Sequence, residues 1–320
     1  MRLLNQPSVT RAMDWLLDPQ YGLGLLLKNV NVLEVNRSYL RARLQTVGVH
    51  VTHADLPQGR MQTLEGGEGE PLLFLHGFGV GAVETWSEQL YHFSRHYRVF
   101  APDLFWFGGS EPHQPDAMLN AEEQADAILA YLDARGLESA HVVGLSFGGI
   151  VSLWLALKAP ERFRSLVLVD SAGLEPTERE ETLMRECFDF AEGDVSKLLI
   201  PENTEQLKDF LARVFYTPRY IPEFAREQVL QHDFWVHGDK KRAIAQSLQQ
   251  TFLSREQLSG IEVSTKVLWG SYDRLLPASM GWRFSEWLPQ ASLSLFPQSG
   301  HVPPLEQPDE FNRELRAFLR

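Results

Sequence analysis

The sequence predicts an α/β fold: a mostly parallel central sheet flanked by helices, with an inserted helical cap. Three observations carry this. From residue 45 onward, short β-rich runs alternate with helical patterns. One run, Leu72-Leu-Phe-Leu75, is apolar throughout, as a strand covered on both faces is. Between 172 and 258 the rhythm breaks into helical, acidic, aromatic-rich sequence without a convincing strand. The expected organisation is an arm over 1–44, a core over 45–171 and 259–320, and a cap over 172–258.

The arm comes first. Residues 1–60 hold seven Lys/Arg against four Asp/Glu, whereas the 320-residue chain carries a net −12. Trp15-Leu16-Leu17 and the run from Tyr21 to Leu27 are apolar, but far shorter than the roughly 20 residues a membrane span needs. No small-residue cleavage site follows a basic start and a long apolar stretch, so a secretory signal is poorly supported. Two readings stand: a helix packed on the core, or a peripheral membrane anchor with Arg37, Arg41 and Arg43 near headgroups. The expected location is cytoplasmic, with membrane association left open.

Residues 47–52 and 60–64 read as an antiparallel opening pair, and Gly66-Gly67-Glu68-Gly69 as a flexible turn. Strands follow at 72–75, 97–101, 140–144, 165–169, 266–269 and 292–296, with helices clearest at 120–135, 147–159, 279–288 and 308–319. In the second of these, Ile150, Leu153, Trp154 and Leu157 recur at helical spacing and should face the sheet. Pro176, Pro201, Pro218 and Pro222 divide the cap into segments.

The acidic balance argues against nucleic acid, which needs a basic face. A single Cys187 forms neither an intrachain disulfide nor a Cys-rich metal site and reads as a small apolar filler. His92 and His96 stand four apart on an expected helix without a carboxylate ligand or an HExxH pattern. Gly22-Leu-Gly24 lacks the third glycine of a dinucleotide loop. No metal and no cofactor are expected.

Gly144-Leu-Ser146-Phe-Gly148-Gly149 lies between an expected strand and an expected helix, the context in which G-x-S-x-G holds a serine on a tight, strained turn. A serine hydroxyl needs a base, and the base an orienting acid. His301, in Gln298-Ser-Gly-His301-Val-Pro-Pro, follows the last strand, and Asp273, in Trp269-Gly-Ser-Tyr-Asp273, follows the one before. Asp170 also ends a strand and is the rival acid; the Gly-x-x-Asp loop with Pro277 favours Asp273. Backbone N–H groups of Phe147 and Phe78, the latter in His76-Gly77-Phe78-Gly79, are the expected oxyanion donors. His76 reads as a brace for that loop.

These residues, with Ala101-Pro-Asp103-Leu, make the chain from about 45 to 320 resemble the α/β-hydrolase superfamily, and within it cap-bearing lipases and monoacylglycerol-lipase-like esterases. The subgroup likeness rests on Asp170-Ser-Ala-Gly-Leu174 and on the stretch from Leu199 to Leu207. The resemblance implies a serine esterase working through Ser146, Asp273 and His301, and an arm that associates with membrane. Ser146 stands where the epoxide-hydrolase and dehalogenase branches need a carboxylate. Trp106 departs from the family pattern, occupying the first glycine position after Asp103; Phe105-Trp106-Phe107 either rims the pocket or lies in the core.

The expected substrate is a lipid-like ester. Phe78, Trp106, Phe188, Phe190, Phe215, Tyr216, Phe234 and Trp235 are candidate contacts, although the cap aromatics serve equally well as the cap's own core. Two alternatives remain. A C–C bond hydrolase of meta-cleavage type would need a cation for its substrate's carboxylate, with Arg274 or Arg283 available. A ligand-binding receptor would leave the serine without turnover.

Overall fold

The structure, a computed structural model, describes residues 30–117, 119–188, 195–218 and 220–320. The apolar runs at 15–17 and 21–27, Gly22, Gly24 and Phe190 lie outside the described residues, as do the side chains of Cys187 and Phe188. Among the described residues nine strands form one sheet: β1 (His50–Leu56), β2 (Gly59–Gly66), β3 (Glu70–Leu75), β4 (Tyr97–Pro102), β5 (Glu111–Pro112), β6 (Ala140–Leu145), β7 (Phe163–Val169), β8 (Thr265–Gly270) and β9 (Ala291–Phe296). Their order is β1-β2-β4-β3-β6-β7-β8-β9, with β5 against β2. Pairings from β4 through β9 are parallel, and only those involving β2 are antiparallel.

The sequence places the strands on two covered faces by alternation. Leu72 and Phe74 enter a cluster with Trp86, Val143, Val167 and Phe311, while Leu73 and Leu75 enter another with Phe100, Ile128, Val142 and Phe147. This two-sided burial is why β3 and β6 read as unbroken apolar runs. The helix Phe147–Lys158 differs from its expected single face: Val151 and Leu155 are as buried as Ile150 and Leu153. Trp154, half-buried, donates its indole N–H to the Thr251 carbonyl. A helix apolar around most of its circumference packs on several partners at once, here the sheet, the helix Ala121–Ala134 and the chain after 250.

Helix starts follow local chemistry. Asn120 accepts from the N–H groups of Glu122 and Glu123, and the Glu123 carboxylate closes the capping box. Asn31 similarly accepts from the Glu34 N–H and opens the helix Val32–Gln45. That helix packs on Ala82–Phe93, an element the sequence suggested only through its histidines; His92 lies on it, whereas His96 falls in the turn beyond.

Between β7 and β8 the described chain is helical: Glu178–Phe188, Val195–Leu199, Thr204–Val214, Glu223–Val229 continuing as a π-helical turn Leu230–Phe234, Gly238–Ser247 and Arg255–Ser259. Arg37 of the N-terminal helix is bonded to both Glu84 of the core and Asp233 of this insertion. The arm from residue 30 onward is therefore part of the packed body.

Candidate active site

β3 and β6 are neighbours although the chain leaves β3 for β4 on the opposite side. This is the switch point where α/β sheets place ligands at the strands' carboxyl ends. Ser146 stands there, between β6 and the helix Phe147–Lys158, at φ 52° and ψ −112°. Such a φ is unfavourable for a residue with a Cβ and persists only where surroundings impose it. The Ser146 N–H donates to the Val169 carbonyl at 2.9 Å. A Cβ on Gly148 would lie 2.3 Å from the Leu75 carbonyl oxygen, and one on Gly144 would lie 2.4 Å from that of Gly148. The glycines of the motif therefore permit a backbone approach that no other residue allows.

His301, which lines the same cavities as Ser146, meets Asp273. The Asp273 Oδ2 is 2.7 Å from the imidazole Nδ1, and both side chains are buried. The other oxygen of Asp273 accepts from the N–H groups of Leu275 (2.7 Å) and Leu276 (3.0 Å), which fixes the carboxylate's rotation. Glu306 Oε1 accepts from the Gly300 N–H, and the His301 N–H donates to the Val214 carbonyl at the end of the helix Thr204–Val214. The insertion thus holds the histidine loop directly. Asp170, the rival acid, is fully buried, and its Oδ1 accepts from the Gly270 N–H at 2.8 Å.

His76 has the bracing position its sequence context suggested. Its Nδ1 is 2.7 Å from the Gly77 carbonyl and its Nε2 accepts from the Leu104 N–H at 2.9 Å, so the neutral tautomer protonated on Nδ1 satisfies both. Burial pushes its pKa down, which favours that neutral form. The braced loop passes close to the serine: a Cβ on Gly77 would come within 3.3 Å of the Ser146 Cβ. Phe147 is the first residue of its helix, so its N–H lacks an intrahelical acceptor.

Two lobes open from this point, of about 370 and 320 Å3, sharing Phe78, Ser146, Leu199, Leu275 and His301. Leu174, Met184, Leu248, Phe252 and Met280 line the first; Phe210, Val214, Phe215, Ile221 and Phe234 line the second, together with Leu33 and Asn36 of the arm. Of the expected contacts, Phe78 and Phe215 thus line the space around Ser146. Trp106 and Trp235 do not line these lobes. Trp106 is buried at φ 71°, stacks on His237 at 4.9 Å and donates to the Ala117 carbonyl. Its large ring is anchored in the core loop instead of rimming the cavity. Trp235 is half-exposed and donates to the Pro201 carbonyl, and Tyr216 stacks on Tyr272. Met184, Leu248 and Phe252 were missed: their apolarity was visible, but not the direction each faces.

A family profile described as the alpha/beta hydrolase fold matches residues 70–308, and the chain belongs to that family. It is 30% identical over 263 residues to 2-hydroxymuconate semialdehyde hydrolase of Pseudomonas sp. (strain CF600), covering 80% of this chain and 88% of that protein. It is also 31% identical over 260 residues to Lipase 1 of Psychrobacter immobilis, covering 78% and 77%. Among solved structures, a membrane phospholipase A described as a bacterial virulence factor superposes with a TM-score of 0.79 at 25% identity, covering 98% of both chains. The chain is a hydrolase of this fold; its relatives include both lipases and C–C bond hydrolases.

Proposed function

We propose that the protein is a serine carboxylester hydrolase acting on lipid-like esters. Ser146 Oγ attacks the ester carbonyl while His301 Nε2 takes its proton, and Asp273 stabilises the imidazolium. The N–H groups of Phe78 and Phe147 receive the oxyanion. His301 then protonates the departing alcohol, and a water activated by the same imidazole hydrolyses the acyl-enzyme.

The observation that carries the ester reading is the character of the cavity. Among the described residues neither lobe is lined by Lys or Arg, while Glu175 and Glu181 edge the first and Glu84 and Asp233 the second. A dienoate substrate would bring a carboxylate into this space without a partner, at high desolvation cost. Arg274 donates to the Ala212 carbonyl, and Arg283 to Glu180 and the Glu175 carbonyl, so both sequence candidates for such a partner are engaged elsewhere. Two apolar lobes meeting at the serine suit an acyl chain and an apolar alcohol or second chain. The kinship with C–C bond hydrolases favours the alternative, which the same cavity disfavours.

Turnover of p-nitrophenyl esters of increasing acyl length, wild type against Ser146→Ala, tests this. Serine-dependent turnover should persist to medium and long chains; its absence at every length would overturn the reading.

We extend the proposal to the arm. The phospholipase likeness spans 98% of the chain, whereas those to C–C bond hydrolases span about 84–85%. Val35 and Tyr39 of the N-terminal helix are exposed. Among the described residues no helix is long and apolar enough to cross a membrane; residues 1–44 are proposed to touch lipid peripherally. Removing residues 1–29 should reduce cosedimentation with anionic liposomes while changing soluble-ester turnover by less than about threefold. Unchanged cosedimentation would contradict it.

A further inference from the structure

Behind the imidazole lies a second carboxyl that the proposed chemistry does not use. Asp170 terminates β7 at φ 40°, and its side chain is wholly enclosed. Its Oδ1 accepts the Gly270 N–H, tying the end of β7 to β8. Its Oδ2 is buried and accepts a hydrogen bond from no donor among the described residues. Ligand atoms of Asp170, Asp273 and His301 all lie within 4.8 Å of one another.

A buried carboxylate oxygen without a donor is costly, and two ionised carboxyls in one enclosure are costlier. One arrangement removes both penalties. A proton on Asp170 Oδ2 turns the unsatisfied acceptor into a donor, and the nearby carboxylate of Asp273 can accept from it. Asp273 is the member that should keep its charge, since two backbone N–H groups and the imidazole already surround it.

We propose that Asp170 is a positioning residue: a neutral carboxylic acid whose Oδ2–H donates to Asp273 and holds that carboxylate in line with His301. The charged or titratable groups facing Asp170 are Asp273 and His301 and, more distantly, Glu306. Burial and the negative charge of Asp273 both push the Asp170 pKa well above the usual carboxylate range, in agreement with this assignment. The inference rests on the serine-hydrolase reading but is independent of which ester is cleaved.

The test is the pH dependence of covalent inactivation by a fluorophosphonate, which reports serine activation without a natural substrate. Asp170→Asn keeps one acceptor for Gly270 and one N–H donor for Asp273. Its inactivation rate should stay within about threefold of wild type, with an unmoved acidic limb. Asp170→Leu keeps the branched shape in a larger side chain and loses both the acceptor for Gly270 and the donor for Asp273. Its rate should fall about 10–100-fold, with the acidic limb moved to higher pH, because the unassisted Asp273 charge favours the protonated imidazole more.

If Asp170 is instead ionised, Asp170→Asn removes a negative charge beside the imidazole and lowers the acidic limb by more than about one pH unit. That result, or identical behaviour of the Asn and Leu variants, would overturn the proposal. Should a variant fail to fold, the wild type labelled with carbon-13 aspartate decides. A protonated-carboxyl infrared band that persists at pH 8, above the range in which Asp233 titrates, supports the proposal, and its absence contradicts it. Inactivation that proceeds normally in a protein inert to all esters would count against the ester reading alone.

Discussion

The carboxyl edge of the sheet and the helical insertion above it are held by different kinds of interaction. At the edge, backbone geometry dominates. Ser146 is pinned by its bond to Val169, Gly148 closes on Leu75, and Asp273 is locked by the N–H groups two and three residues further on. In the insertion, side chains from distant segments do the joining. Arg37 reaches Glu84 and Asp233, Lys240 reaches Asp116, and Trp106 of the core stacks on His237. The contrast teaches that reactivity is stored in short local motifs, whereas the space that selects a substrate is built from long-range pairings.

The contrast predicts how each region breaks. At the edge, chemistry should fail while the fold survives. Ser146→Ala should lower kcat about 10⁴–10⁶-fold with little change in thermal midpoint; a loss under tenfold would remove the serine from the mechanism. At the insertion, the fold should fail first. Arg37→Ala leaves Glu84 and Asp233 without their shared cation, at a cost of about 3–5 kcal/mol. The thermal midpoint should drop by several degrees, and an unchanged midpoint would show that the ionic tie contributes nothing.

The smallest expected effect is a pH dependence at the same tie. Burial raises the Asp233 pKa to about 6 despite the opposing pull of Arg37, against about 3.9 for an unfolded aspartate. The folded state therefore holds a proton that the unfolded state releases. This contribution is complete below about pH 4 and is lost as pH rises through 6. Wild type should lose stability relative to Asp233→Asn over that interval, as measured by denaturant midpoints. Parallel midpoints across it would contradict the assignment.

The same division explains what the sequence disclosed. The strands at 72–75 and 140–144 were legible because burial on both faces leaves apolar runs, and Ser146 because its glycines are demanded by contacts within a few ångströms. Asp273 and His301 were legible from their places after successive strands. The helix Ala82–Phe93 was barely visible because no motif marks its start: Gly81 caps it without a side-chain bond. The insertion declared its helices and aromatics, but not that Phe215 and Phe234 face the cavity while Trp235 turns toward Pro201. That choice depends on helix rotation in the packed protein. Arg37 could be read as a headgroup contact from sequence; its bonds to Glu84 and Asp233, each far away in the chain, make it a structural tie.

The proposed esterase reading rests on two largely apolar lobes that, among the described residues, neither Lys nor Arg lines. The most direct measurement is a competition on one preparation: kcat/KM for a medium-chain p-nitrophenyl ester against that for a 2-hydroxy-6-oxo-dienoate, each with a Ser146→Ala control. Serine-dependent ester turnover should exceed dienoate cleavage by at least about 10³-fold, the order expected when a buried carboxylate lacks its partner. Faster cleavage of the dienoate would contradict it.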